Sequence, residues 1–459
     1  MPTIRTLKTG VAGVRGVVGD SLTPQLLIGF AQAFGTYLDG GVVVIGRDTR
    51  PSGEMVRNAL VGGLMATGCH VIDVGIAPVP TIQHAVRRHA ADGGIAITAS
   101  HNPQEWNALK FIHRDGILLR PYQGQELLSV YYQGNFKLAT SDALGKVTED
   151  RQAIEVHLED VLRDLGGDFD LVTERCPTVV VDCCNGAGAL ASETFLYALG
   201  CEVITINDTP DGLFPHSPEP IPENLGQLAA AVREHGADVG FAQDADADRL
   251  CLVNERGEAI SEEYTIAFAC DAFPDDQPGP IVTNLSTSRM VDEAAARHGR
   301  RVSRTAVGEI NIVEAMLREG AVLGGEGIGG VIWPRAGYGK DSFAGMALVL
   351  AGLARRGGTI SDWQASFRPG AIVKRKIACT ASLAQPVLLA LRAAYADEHL
   401  DTTEGVRVTW PDGSWMHVRP SNTEPIMRIL VEADEQTAAE ARADTATAVV
   451  QRELSRLQS

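Results

Sequence analysis

The sequence predicts an α/β protein of several domains, and three observations carry that expectation. Short apolar runs alternate with helix-like stretches along most of the chain, the pattern of strands covered by helices in parallel or mixed sheets. At coarse scale this pattern recurs three times before a smaller C-terminal segment. A length of 459 residues exceeds what one core usually holds and favours about three or more domains.

The elements follow in order. "GVVVIGRDT" reads as a strand feeding the helix "SGEMVRNALVGGLMATG", and "CHVIDVGI" feeds "TIQHAVRRHA". "GGIAIT" is a buried strand. "GNFKLATSDALGKVTEDRQAIEVHLEDVL" is a connector into a helix, which places a boundary near residue 155. "PTVVVDCCNGAG" leads into "ALASETFLYALG" and then the strand "CEVITIND". The turn "NERGEAIS" places the next boundary near 257, and "GPIVTNLSTSRM" runs into the helix "VDEAAARHG". "RRGGTISDWQASFRPGAI" leads into a last segment with the alternating strands "VRVTW" and "WMHVRP". The expected segments are therefore 1–155, 156–257, 258–370 and 371–459.

A net charge of −18 argues against nucleic acid or an anionic membrane surface as the main partner. An anionic small substrate would need a locally basic pocket. The eight cysteines (69, 176, 183, 184, 201, 251, 270 and 379) form no C-x-x-C pair, and they read as reduced core residues. "MPTIRTLKTG" has no apolar signal core and no long uncharged apolar run is present, so a cytoplasmic location is expected.

Five stretches carry candidate chemistry. "TASHNP" ends the strand "GGIAIT", so Ser100 is either a turn residue or a nucleophile, with His101 beside it and Lys110 further on. In "GFAQDADADRLCLV", Asp244, Asp246 and Asp248 follow a strand. Three carboxylates this close repel one another and are best tolerated around a cation, and an all-oxygen set suits Mg²⁺ or Ca²⁺. Arg249 adds a fork for a phosphate or carboxylate. An EF-hand loop would place Glu255 at its twelfth position, but its sixth position needs glycine and holds Arg249. In "HVRPSNTEPIMRI", Pro420 and Pro425 indicate a loop. There Ser421, Asn422 and Thr423, flanked by Arg419 and Arg428, offer what a phosphate requires. "LGGEGIGGVIWP" sets Glu326 among glycines, including Gly327, that permit close approach of a ligand. "DCCNGAGALA" matches a relaxed dinucleotide fingerprint through Gly186, Gly188 and Ala191, with Asp208 about 20 residues on. Small residues packing a helix on its strand fit that stretch equally. Near the N-terminus, Arg15, Arg47 and Arg50 either line a basic pocket or are turn arginines paired with carboxylates.

Together "TASHNP", "DADADR", "GEGIGG" and "RPSNTEP", in this order, resemble the α-D-phosphohexomutase superfamily over nearly the whole chain; "GLFPHSPEPIPENL" is similar too. The resemblance implies four domains around a central cleft, the first three sharing a mixed-sheet αβα topology and the fourth a smaller α+β unit. It implies that Ser100 is the catalytic serine, active when phosphorylated, and that Asp244, Asp246, Asp248 and the serine phosphate hold Mg²⁺. His101 and Lys110 would fall on general acid and base positions, and Arg15, Arg249 and Lys110 would surround the phosphoryl group. Glu326 and Gly327 would bind the sugar. Arg419, Ser421, Asn422, Thr423 and Arg428 would bind the phosphate that is not transferring. A hexose bisphosphate would be activator and intermediate, and a monomer or homodimer is expected.

Ile328 and Gly330 stand where mannose- and glucose-type mutases usually carry Ser and His, and Gly308-Glu309 stands where they carry Gly-His. "GEGIGG" with "AVGEINI" is more similar to the phosphoglucosamine mutases, in particular the archaeal-type branch, although that branch usually has a polar residue at Ile328. Val11 replaces a hydroxyl residue and Trp106 a common Tyr. The expected reaction is interconversion of glucosamine 6-phosphate and glucosamine 1-phosphate. A phosphomannomutase or phosphoglucomutase is the alternative. An NAD-dependent dehydrogenase and a non-catalytic sugar-phosphate-binding protein are the alternatives of other classes.

Overall fold

The computed structural model describes residues 7–10, 13–368, 370–421 and 425–458. Its strands form four sheets. The first contains β1 (Lys8–Gly10), β2 (Gly13–Val17), β3 (Val42–Arg47), β4 (His70–Ile76), β5 (Gly93–Ile97), β6 (Trp106–His113) and β7 (Val147–Glu149). The second contains β8 (Thr178–Asp182), β9 (Glu202–Ile206), β10 (Val239–Gln243) and β11 (Leu250–Asn254). The third contains β12 (Ile281–Asn284), β13 (Val302–Thr305), β14 (Leu323–Glu326) and β15 (Gly330–Ile332). The fourth is the antiparallel sheet of β16 (Ala371–Ala378), β17 (His399–Asp401), β18 (Val406–Thr409), β19 (Trp415–Pro420) and β20 (Ile426–Ala433).

One four-strand motif recurs in the first three sheets. In each, the first and second strands of the motif are parallel neighbours. The third strand pairs parallel to the first on its other side, and the fourth returns antiparallel at the edge of the motif. The orders are β6-β5-β3-β4, β11-β10-β8-β9 and β15-β14-β12-β13. The third strand is fully buried each time. Strands covered on both faces read as continuous apolar runs, which is why "GGIAI" and "VGFAQ" show no alternation.

This repetition positions the site. The loop from third to fourth strand carries "TASHNP" in the first sheet, "DADADR" in the second and "GIG" in the third. Three homologous turns therefore converge on one cleft of about 910 Å³, which also receives side chains from the fourth sheet. That volume suits a phosphorylated hexose. The sequence assigns His417–Pro420 both to the strand "WMHVRP" and, from its prolines, to a loop; the strand reading holds, since these residues complete β19, with Pro420 at its last position opposite Met427. A strand end needs no amide donor there, so proline is tolerated.

Candidate active site

Ser100 is nearly buried, at φ +50°, a left-handed conformation that a non-glycine residue adopts only when its surroundings hold it there. Its N–H donates to Thr98 Oγ1 (2.9 Å) and its Oγ donates to Asp244 Oδ2 (2.6 Å). His101 Nδ1 lies 3.4 Å from Ser100 Oγ. The Arg249 guanidinium, and then burial, push the His101 imidazole down to about 2, so the ring is neutral at ordinary pH.

Asp244, Asp246 and Asp248 are buried, and one carboxylate oxygen of each lies within 4.8 Å of the others. Burial first, then the charges of Asp246 and Asp248, raise Asp244 well above the ordinary carboxylate range. Burial also opposes charge on Asp248, but Lys110, Lys340 and Arg249 outweigh it and hold that carboxylate ionised. Asp246 Oδ1 is buried without a hydrogen-bond partner. An all-oxygen donor set with an orphaned carboxylate oxygen and mutual repulsion fits a hard divalent cation. The EF-hand reading is overturned, because the flanks are β10 and β11 and the Glu255 carboxylate accepts from Ser361 N and Oγ.

Cations surround the triad. Lys110 Nζ donates to Asp246 Oδ2 (2.7 Å) and Asp248 Oδ2 (3.2 Å). Burial disfavours its charge, yet these two carboxylates hold the ammonium protonated above its ordinary range. Arg249 Nε lies 3.8–3.9 Å from Asp248 and Asp244. Arg15 lines the cleft and donates from Nη1 to Asn102 Oδ1 (3.3 Å). Arg50 does not line it. It is fully buried and paired with Asp48 (3.0 Å), which settles its two readings in favour of the turn arginine. Arg47 is half-buried and donates to the Asp48 carbonyl (3.4 Å).

Glu326 ends β14, where its Oε1 accepts from Asn284 Nδ2 (2.9 Å), and Gly327 N donates to Thr287 Oγ1 (3.1 Å). Ile328 lines the cleft as an apolar wall. In the fourth sheet Arg419 and Arg428 face each other across β19 and β20 and both line the cleft. Ser421 begins the connecting loop with its N–H on the Ile426 carbonyl (2.9 Å). Asn422, Thr423 and Val11 lie outside the described residues. Trp106 begins β6, with Lys8 Nζ 5.5 Å from its ring centroid.

Sequence reasoning missed Lys340 and Asn284, and also the contacts of Glu309, which it named only as a departure from the mannose- and glucose-type pattern. Lys340 Nζ donates to Asp248 Oδ1 (3.2 Å) and lies 3.8 Å from Glu309 Oε2. Burial raises Glu309 to about 7. Asn284 holds Glu326. The glycine-flanked "YGKDS" before the helix Ser342–Arg356 was the available signal for Lys340. The dinucleotide reading is overturned. A Cβ at Gly186 would stand 2.7 Å from the Ala245 carbonyl oxygen, and one at Gly188 2.1 Å from Gln243 Oε1. Gly186 packs against the backbone of the aspartate loop and Gly188 against the Gln243 side chain, so no pyrophosphate has room there. The cysteines are all free; seven are buried, and Cys176, expected in the core, is exposed.

Four family models match consecutive parts of the chain. They are phosphoglucomutase/phosphomannomutase α/β/α domains I (6–138), II (157–257) and III (261–369), and the C-terminal domain (375–448). A probable phosphoglucosamine mutase of Methanopyrus kandleri is 38% identical over 96% of this chain and 97% of its own. A phosphoglucomutase/phosphomannomutase of Thermococcus kodakarensis is 38% identical over 94% and 95%. A solved family protein from Burkholderia thailandensis superposes with a TM-score of 0.84 at 26% identity, covering 97% of each chain. No helix among the described residues is long and apolar enough to cross a membrane.

Proposed function

The chain belongs to the phosphoglucomutase/phosphomannomutase family and is a phosphohexomutase; from that premise we propose that it moves a phosphoryl group between O6 and O1 of glucosamine phosphate through Ser100. The observation that carries this reading is the placement of Ser100 Oγ 2.6 Å from the carboxylate triad, with three cations on the same carboxylates.

A hexose bisphosphate primes Ser100 and is also the intermediate. In the first half-reaction a sugar hydroxyl attacks the serine phosphate. The new sugar O–P bond forms as the Oγ–P bond breaks; the hydroxyl proton passes to a base, and Ser100 Oγ takes up a proton. His101 Nδ1 stands 3.4 Å from Oγ, within reach of the proton that this oxygen takes up and later gives back, whereas Lys110 is held protonated and stabilises charge. The bisphosphate then turns over, and its other phosphoryl group returns to Ser100 Oγ, which gives up its own proton while the sugar oxygen regains one. Asp244, Asp246 and Asp248 with Ser100 would hold Mg²⁺, which when bound offsets charge on the phosphoryl oxygens. Arg249, Lys110, Lys340 and Arg15 supply fixed positive charge around the same atoms. Glu326 and Gly327 bind sugar hydroxyls, while Arg419, Ser421, Asn422, Thr423 and Arg428 bind the resting phosphate.

Two features favour an amino sugar. Several relatives are named probable phosphoglucosamine mutases. Glu326 also lines the cleft with a carboxylate, which can pair with an ammonium group on the sugar. The second reading, a phosphomannomutase or phosphoglucomutase, is favoured by the Thermococcus relative's name. Phosphorus NMR with Mg²⁺, a trace of hexose bisphosphate and the 6-phosphates of glucosamine, mannose and glucose decides between them. The expected result is fastest formation of the 1-phosphate from glucosamine 6-phosphate; faster conversion of mannose or glucose overturns the specificity and leaves the chemistry standing.

A further inference from the structure

We propose that Arg50 is a positioning residue that sets the Ser100 hydroxyl for phosphoryl transfer. All five side-chain donors of this fully buried arginine are engaged, and four of them hold the serine loop. Nη2 donates to the Ser100 and Asn102 carbonyls (2.7 Å each), and Nη1 donates to those of Pro103 (2.6 Å) and Trp106 (3.1 Å). Nε donates to Asp48 Oδ2 (3.0 Å). The same Asp48 oxygen accepts from Thr98 Oγ1 (2.7 Å), and that hydroxyl accepts the Ser100 N–H (2.9 Å). Ser100 is thus gripped on both sides, through its carbonyl by Arg50 and through its N–H by the Asp48–Thr98 line.

That grip accounts for a conformation the chain would not otherwise keep. Ser100 sits at φ +50°, and a serine stays in the left-handed region only where its neighbours over-determine it. The planar five-donor fork is what allows one side chain to bind four carbonyls, and a lysine cannot reproduce it. The grip also spans two domains. The Phe214 ring lies 4.9 Å from the Arg50 guanidinium, and Thr49 Oγ1 donates to the Asn185 carbonyl (2.7 Å). Arg50 touches neither the cleft nor the carboxylate triad; its own bonds reach the serine directly, and Asp246 only at one remove, through Asp48 and the Thr98 hydroxyl, which lies 3.2 Å from Asp246 Oδ2.

The inference rests on the reading of Ser100 as the phosphoryl carrier. The test measures the rate at which Ser100 takes a phosphoryl group from glucose 1,6-bisphosphate, against bisphosphate concentration, by quantitative peptide mass spectrometry. For Arg50→Lys the maximal rate is expected to fall about a hundredfold, the cost of misplacing a reacting atom by an ångström. The half-saturating concentration should stay within about threefold, since no group that binds the ligand has changed. The fraction of protein finally phosphorylated should also be kept. A rate within about threefold of the unaltered protein, or a loss confined to the reactive fraction, overturns the proposal, because a merely structural role lowers how much protein reacts and not how fast. Should Arg50→Lys fail to fold, Asp48→Asn decides. It sets an amide donor against Arg50 or Thr98 donors that the carboxylate now accepts and leaves the hydroxyl of Thr98 in place, so the same slow rate is expected and an unchanged rate overturns the proposal. If the unaltered protein takes no phosphoryl group on Ser100, the reading of the site fails first and the inference falls with it.

Discussion

Gly330 and Lys340 show how one side chain accounts for a departure from the family pattern. A Cβ at Gly330 would stand 2.5 Å from Lys340 Cδ, so the missing side chain is the channel through which the lysine stem reaches Asp248. A larger residue there forces the stem aside. Gly330→Ser is expected to keep the fold and to lower kcat at least about tenfold by moving the ammonium, since loss of one preorganised charge-stabilising donor costs that or more. Steady-state kinetics beside a thermal melt check this; unchanged kcat would mean that Lys340 takes no part. Ser100, His101 and the aspartates were legible because each lies in a short contiguous motif. Lys340, Glu309 and Arg50 were not, since each reaches its partners from a distant stretch of chain. Arg50 was visible as an arginine among turn residues, but its burial was not.

At the scale of elements, the three turns of the repeated four-strand motif are tied to one another. Ser100 Oγ and Thr98 Oγ1 of the first donate to Asp244 (2.6 Å) and Asp246 (3.2 Å) of the second, and Leu250 N, just past the second, donates to the Gly329 carbonyl of the third (2.9 Å). The sugar turn also leans on the helix Glu263–Ala272: a Cβ at Gly327 would stand 1.8 Å from Glu263 Oε2. Glu263 accepts from Ser288 N (2.9 Å), and burial raises its carboxyl to about 8. The sign follows directly. Between the unfolded value of 4.5 and about 8 the folded state keeps a proton that the unfolded state has lost, so stability falls as pH rises through that window. Glu263→Gln should flatten the fall in melting temperature across it; an unchanged slope would mean that Glu263 does not carry that proton. The strand–helix alternation of these units was legible because buried strands leave apolar runs. The end of β19 was legible only as two competing readings, because "WMHVRP" alternates like a strand while its proline reads as a loop, and only pairing shows that the proline closes a strand.

Across the whole molecule the fourth domain stands apart. One core cluster joins the second and third units, while the fourth has its own, from Cys379 to Leu454. Polar bonds tie it to the third: His417 to Ser286 (2.8 Å), Glu432 to Ser288 (2.7 Å) and Lys374 to Glu262 (2.7 Å). The first three units share apolar packing as well, with Ile117 in one cluster with Val282 and Ile332, beside buried pairs such as Thr81–His157 (2.9 Å) and His157–Asp341 (3.1 Å). Polar interfaces between domains permit relative motion, and closure would keep water from a phosphoserine. Small-angle scattering should therefore show a smaller radius of gyration with a hexose bisphosphate than without; equal radii contradict closure. The four-domain cleft entered the sequence reading through family resemblance, because no local pattern tells how separate sheets face one another.

The central claim is that Ser100 carries the phosphoryl group between two positions of one sugar. Its most direct test loads the protein from a bisphosphate with a labelled phosphoryl group, maps the label by peptide digestion, and then chases with unlabelled hexose monophosphate. The account predicts label on Ser100 alone and its departure into bisphosphate during the chase, with neither seen for Ser100→Ala. Label on another residue, or full turnover by Ser100→Ala, would contradict it.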